Sequence, residues 1–205
     1  MALLTRDFYE QHPVETARQL IGKILVRRTS QGLSSGVIVE TEAYLATDDP
    51  ASHSYRGKTR KNATMFGRAG LLYVYPIHGR YCLNAVTESR GVASAVLIRA
   101  VMPLQGIDLM QQRRQCPMMD LTRGPARLCE AFAVDRRLDG WDLTREARIW
   151  IEQPDEAMGS EQQIAVTPRI GVTSGHRLEL RFFLKDCPSV SGPRKIARSA
   201  AEAKG

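Results

Sequence analysis

Residues 93–102 constrain the fold most: the run is apolar except for Ser94 and Arg99. It reads as a buried strand, and buried backbone has to be paired, so a sheet must surround it. Arg99 sits in its middle. A buried arginine needs a carboxylate within reach, unless the side chain escapes to water from a sheet edge. The first alternative makes residue 99 part of a polar site, and the second makes it a surface feature.

The remaining pattern supplies the other elements. Residues 13–21 read as a helix, with Pro13 in its first turn and Gly22 as its stop. Residues 23–29 alternate apolar and basic side chains, as a half-buried strand does. A turn over 30–36 and a strand over 37–42 complete a hairpin. Residues 71–76 and 80–86 form a second hairpin with Ile77, His78 and Gly79 at its tip. Helices are expected over 106–114 and 125–132, and later strands over 147–151, 163–167 and 178–184. With 205 residues, 43% of them hydrophobic and 25% charged, one ordinary core suffices. The expected class is α+β: one compact mixed α/β domain over 1–191 with a mainly antiparallel, curved sheet, then a polar, basic tail over 192–205.

Charge narrows the partners. The formal net charge is +7. From residue 50 to residue 87 there is no acid, while Arg56, Lys58, Arg60, Lys61, Arg68 and Arg80 supply six cations. Tyr55, Phe66, Tyr73, Tyr75 and Tyr81 share that stretch. Cations interleaved with aromatics suit phosphate contact and base stacking, although a solvated loop followed by an ordinary strand has the same composition. Cys82, Cys116, Cys129 and Cys187 form no C-x-x-C pair, which points to reduced thiols in a cytoplasmic protein. The first residues lack the pattern of a secretory signal, and no stretch is long and apolar enough to span a membrane.

Three further constellations bear on chemistry. In VIVETEAY, residues 37–44, strand parity puts Glu40 and Glu42 on one face and Thr41 on the other. A carboxylate at the end of a buried strand can take a proton from water if a partner sets its pKa. Two surface glutamates would give the same pattern, and parity does not choose between them. Asp48, Asp49 and His53 fall within six residues, but Asp-Pro is also a turn signal, and carboxylates at fixed spacing are lacking, so no metal site is predicted. In residues 71–85 the His-Gly tip could wedge into a DNA groove. There Tyr73 and Tyr75 share a strand face, and Asn84 is a polar residue that burial would oblige to find partners.

Taken in order, ILVRR (24–28), VETEAYL (39–45) with His53, TRKNATMF (59–66), LYVY (72–75), GRYCLN (79–84), VLIRA (96–100), GPARLC (124–129) and RIGV (169–172) resemble the alkyladenine (3-methyladenine) DNA glycosylase family, in a bacterial member. The resemblance runs from about residue 20 to about residue 190. It implies a single α/β domain without metal or cofactor. By position it implies Glu42 as the general base, Arg99 as the arginine holding the attacking water and the glutamate, and the Ile170 backbone as a further water contact. Tyr44, His53 and Tyr75 would sandwich and contact the flipped base. Asn84 would stand at the pocket wall against normal guanine, and His78, on a hairpin with Gly79 and Tyr81, would fill the gap in the duplex.

The activity implied is monofunctional excision of alkylated or deaminated purines from double-stranded DNA, by a monomer working in the cytoplasm on the nucleoid. Two departures stand out. His78 replaces the usual tyrosine, and the following segment is one residue shorter than in mammalian members, which leaves the register from His78 to Asn84 open. The competing readings are a lyase using Lys58 or Lys61, a non-catalytic nucleic-acid-binding module, and a metal-dependent nuclease built on Asp48, Asp49 and His53.

Overall fold

The structure, a computed structural model, describes residues 1–155 and 164–192. Among the described residues, nine strands form one sheet: β1 (Ala2–Leu3), β2 (Ile24–Thr29), β3 (Gly32–Tyr44), β4 (Leu72–Ile77), β5 (Arg80–Thr87), β6 (Ser94–Gln105), β7 (Ile149–Gln153), β8 (Ile164–Thr167) and β9 (Arg181–Leu184). The α-helices among the described residues flank it: α1 (Arg6–Tyr9), α2 (Pro13–Leu20), α3 (Ile107–Arg113) and α4 (Pro125–Ala131). The strand order is β1-β7-β2-β3-β6-β5-β4, and β9 with β8 attaches to β3 off this path. Every strand pairing among the described residues is antiparallel. This is an α+β fold, a single compact domain with an open, antiparallel sheet.

The apolar run that demanded neighbours is β6, and its longest partner is β3. The two pair from Ser35↔Gln105 to Tyr44↔Ala95. The other edge of β3 is shared. Its first half, Gly32–Val37, pairs with β2, and Glu40–Glu42 pair with β9. Where β3 changes partner the ladder is irregular. Ile38 faces Val101 and Glu40 faces Ala100, so Val39 is extra on β3; Thr41 then faces Ile98, so Arg99 is extra on β6. Such bulges re-aim side chains. Arg99 leaves the ladder at the point where the two glutamates lie.

Helices cover the apolar faces: α2 packs on β3 and β6, and α4 on β5 and β6. The Thr41 hydroxyl donates to Ala17 O at 2.9 Å, so Thr41 points toward α2, away from Glu40 and Glu42 as parity requires. Leu20, Ile38, Ile98, Met110, Phe132, Phe182 and Phe183 lie in the main core, each without measurable exposure or nearly so.

The expected turn over 30–36 is corrected to residues 30 and 31. The ladder between β2 and β3 runs out to Thr29↔Gly32, and Ser34 and Ser35 are buried within it. Small polar residues there look like a loop, but both serines pair with β2, Ser35 also pairs with β6, and the Ser34 hydroxyl accepts from Arg113. The expected strand over 178–184 begins only at Arg181, and β1 and α1 are too short to carry a pattern. The second hairpin is tighter than expected: Ile77 pairs with Arg80, leaving His78 and Gly79 as a two-residue turn, with φ of 47° and 75°. Positive φ at both positions matches the twist of paired strands. Apart from Gly192, the expected tail lies outside the described residues.

Gly106 joins β6 to α3 at φ 71°, and a Cβ there would lie 2.1 Å from Leu33 O. Gly106→Ala is expected to cost about 2 kcal/mol or more in urea unfolding. Gly140→Ala, with φ 80° but nothing within 4 Å, should cost only backbone strain of about 1 kcal/mol.

Candidate active site

Glu40 and Glu42, on the β9-paired half of β3, have no exposed side-chain surface, and Arg99 enters between them from β6. Its Nε donates to Glu40 Oε1 at 2.9 Å and its Nη1 to Glu42 Oε2 at 3.1 Å. The two carboxylates are otherwise held differently. Glu40 also accepts from Arg181 Nε at 2.7 Å, and from the backbone N–H and hydroxyl of Ser191 at 2.7 and 2.9 Å. Glu42 instead accepts from the Tyr44 hydroxyl at 3.0 Å and the Ile170 N–H at 2.8 Å.

The consequence is a pair with pKa values pushed apart. Burial drives both carboxyls up. At Glu40, Arg99, Arg181 and the Ser191 amide outweigh burial and hold it below the ordinary carboxylate value. At Glu42, burial prevails over Arg99 and the Ile170 amide, the charge of Glu40 adds to it, and the pKa is raised. Environments that separate two such groups assign them different roles. Glu40 is a permanent anion that anchors two arginines. Glu42 is the carboxyl whose surroundings leave it closer to the protonated form.

Tyr44 leads from Glu42 to an aromatic cavity. Its walls are Tyr44, His53, Tyr73, Tyr75 and Asn84, with Met65 and Ala95. The His53 ring meets Tyr75 edge-on at 4.3 Å, and Tyr73 stacks on Tyr75 at 5.5 Å. His53 Nδ1 is 2.9 Å from the Tyr73 hydroxyl. His53 is solvent-accessible, yet partial burial against these rings lowers its pKa and favours the neutral form. Burial likewise pushes Tyr73 up to about 12. Asn84 is buried and donates from Nδ2 to Tyr73 O at 3.1 Å, across the Tyr73↔Asn84 register. The cavity measures about 20 Å³, room for a water but not for a purine. It shares His53, Tyr73 and Tyr75 with an open cleft of about 550 Å³, to which Lys61, Tyr81 and Arg136 also contribute.

The sequence-predicted residues therefore separate into groups. Glu42 and Arg99 meet, and so do Tyr44, His53, Tyr75 and Asn84. Ile170 is not among the cavity walls, and its backbone N–H serves Glu42. His78 and Gly79 form the exposed hairpin turn, and Tyr81 lies on the wall of the cleft. Arg56, Lys58, Arg60, Lys61 and Arg80 are exposed. Arg68, although half-exposed, is committed to Asp142 at 2.8 Å beside Arg6. The Asp48, Asp49 and His53 set is divided, because Arg169 takes both Asp49 oxygens while His53 joins the aromatic group.

Sequence reasoning missed Tyr73, Met65, Arg136 and the Arg181–Ser191 support of Glu40. For Tyr73 the signal was present, since it shares a strand face with Tyr75. Arg136 reaches the cleft because the short turn 136–138 packs on β4, where Arg136 donates to Val74 O, and no local pattern announces that. Among the described residues, no helix is long and apolar enough to cross a membrane.

The profile of the methylpurine-DNA glycosylase family matches residues 7–188. A protein of Rhodopirellula baltica is 46% identical over 195 residues, covering 92% of this chain and 83% of its own. One of Carboxydothermus hydrogenoformans is 44% identical over 191 residues, covering 92% and 98%. One of Mesorhizobium japonicum is 42% identical over 182 residues, covering 88% and 86%. All three carry the provisional name 3-methyladenine DNA glycosylase. By class, then, the protein is an enzyme, a DNA glycosylase. The chain belongs to the methylpurine-DNA glycosylase family.

The divided pair makes opposite stability predictions. Glu40→Gln leaves Arg181 buried without its carboxylate and Arg99 with Glu42 alone, and should cost about 3–5 kcal/mol in urea unfolding at neutral pH. Because the folded pKa of Glu40 is depressed, its contribution is present above the unfolded carboxylate pKa and lost as pH falls through the folded one. Glu42→Gln removes a group whose ionisation the fold opposes, and its stability at neutral pH should be unchanged or slightly higher.

Proposed function

We propose that the enzyme excises alkylated and deaminated purines from double-stranded DNA, working as a monomer, with Glu42 as the general base. The observation that carries this reading is the geometry at Glu42: its buried carboxylate, beside Arg99, accepts from the Ile170 amide and from the hydroxyl of Tyr44 at the aromatic cavity, while Glu40 is taken up by Arg99, Arg181 and Ser191. A base must accept a proton, and of the two carboxyls burial raises the pKa of Glu42 while Arg99, Arg181 and the Ser191 amide hold that of Glu40 down.

In this reading the damaged nucleotide leaves the stack and its base enters the aromatic cavity. His53 and Tyr75 shift apart to admit it, since the resting cavity is too small. Alkylation at purine N3 or N7 makes the base cationic, and the electron-rich faces of Tyr44 and Tyr75 attract it. Water attacks C1′ of the sugar and Glu42 takes its proton. The C1′–N bond breaks, its electron pair leaves with the base, and an abasic site remains. Ionised Glu42 also stabilises the positive charge that builds on the sugar. Arg99 and the Ile170 amide hold the carboxylate in place. Asn84, fixed by the Tyr73 carbonyl, discriminates at the cavity wall.

The hairpin supplies the wedge. His78 enters the space left by the flipped nucleotide, presented by the tight turn with Gly79, while Tyr81 borders the cleft. Arg56, Lys58, Arg60, Lys61 and Arg80 meet phosphates, and Arg136 joins Lys61 beside the cleft. The substrates are 3-methyladenine, 7-methylguanine, hypoxanthine and ethenoadenine.

Single-turnover release of base from duplexes carrying each lesion tests the reading. Glu42→Gln is expected to lose about 10²–10⁴-fold in rate with the fold intact. Wild-type kcat should fall on the acid side with a midpoint above the ordinary glutamate value of 4.5, because protonation removes the base. Release that survives Glu42→Gln unchanged refutes the assignment.

A further inference from the structure

We propose that the buried Asp49–Arg169 ion pair is a positioning device for the reaction, holding the Ile170 amide on Glu42 and the Tyr44 ring at the cavity wall. The role in the reaction rests on Glu42 being the base; the hold on Glu42 does not.

The pair is bidentate and sealed. Arg169 Nη1 donates to Asp49 Oδ2 at 2.7 Å and Nη2 to Oδ1 at 2.6 Å, and neither side chain is exposed. It ties three separate segments together. Arg169 Nη1 also donates to Ala43 O at 3.0 Å, near the end of β3. Asp49 accepts the Leu45 N–H at 3.0 Å and the Ala51 N–H at 3.2 Å, which fixes the start of the loop carrying His53. Arg169 itself follows β8 and immediately precedes Ile170, whose amide is on Glu42. The guanidinium carbon lies 4.5 Å from the Tyr44 ring centroid. Tyr44 is thus braced on one face while its hydroxyl is spent on Glu42.

The construction favours geometry over stability. A fully buried pair gains little net stability from its charges, but a planar fork on a carboxylate fixes direction as well as distance. Among the described residues the buried Arg169 Nε has no partner, and the fork is oriented for Asp49 and Ala43. Neither residue lines the cavity, so neither touches a base there.

The sign of a titration separates positioning from plain electrostatics. The charged and titratable groups around Glu42 are Glu40 and Tyr44 on β3, Cys82 on β5, Arg99 on β6, Arg181 on β9 and Arg169. Removing the negative charge of Asp49 while keeping Arg169 lowers the Glu42 pKa by Coulomb attraction alone. Releasing the Ile170 amide removes a donor to the ionised carboxylate and raises it.

The experiment is a carboxyl-carbon NMR titration of Glu42 in the wild type and in Asp49→Asn, beside the pH profile of kcat and KM for base release. The expected result is a Glu42 pKa higher by about one unit. The acid limb of kcat should move by the same amount, the rate should be regained at higher pH, and KM should change less than kcat. A Glu42 pKa that falls or stays, in folded protein, overturns the proposal. Arg169→Lys keeps the charge and loses the fork. It should shift Glu42 upward by less, and it carries the test if Asp49→Asn does not fold. If Glu42 shifts upward but the kcat limb does not follow, the hold on Glu42 stands and the base assignment fails.

Discussion

Arg99 is the residue on which the site depends. Bringing a guanidinium into the middle of a sheet is costly unless its charge is met and its donors are used. Here the cost is met locally, by a bulge that removes Arg99 from the β3–β6 ladder and by two carboxylates placed on the same face. One cation between two anions leaves a surplus negative charge in a low-dielectric place. Arg181 neutralises it at Glu40, and the surplus strain of ionisation is left on Glu42. The asymmetry between Glu40 and Glu42 therefore follows from where the second arginine goes.

The split edge of β3 explains why this happens at one point in the sheet. Over its first half β3 is an ordinary interior strand between β2 and β6. Past Ile38 the β2 ladder ends, β9 takes the edge, and β8 follows outside it. The change of partner delivers Arg181 on β9, Ile170 just beyond β8 and Ser191 from the last described residues. All three arrive as donors to the two carboxylates. An antiparallel sheet with one continuous edge would have offered main-chain pairing there and no such convergence of donors.

This is also why the sequence was legible only to a point. The shared face of Glu40 and Glu42 is a matter of local period, and a buried arginine in 93–102 announces the need for a carboxylate. Tyr73 was equally readable, because parity places it beside Tyr75. The choice between the two glutamates was not, since the groups that separate them lie 128 to 151 positions away in the chain. The turn assigned to 30–36 failed for a related reason. Glycine and serine resemble loop composition, but in β3 Ser35 and Gly36 are small residues buried between β2 and β6. Arg68 counted as a free cation until Asp142, distant in sequence, claimed it.

The resting cavity adds a constraint on selectivity. Its tyrosines are buried enough to be held in the phenol form, and His53 is biased toward neutrality, so the walls carry little charge. A cationic base would meet π-faces; a normal base would gain less from them. In the proposed reaction neither would enter without displacing the His53–Tyr75 contact, so packing would be lost before stacking is gained. That order favours a base already loosened in its duplex, since less is spent on extracting it. The small volume of the cavity is thus consistent with discrimination that begins in the DNA and is completed by the rings.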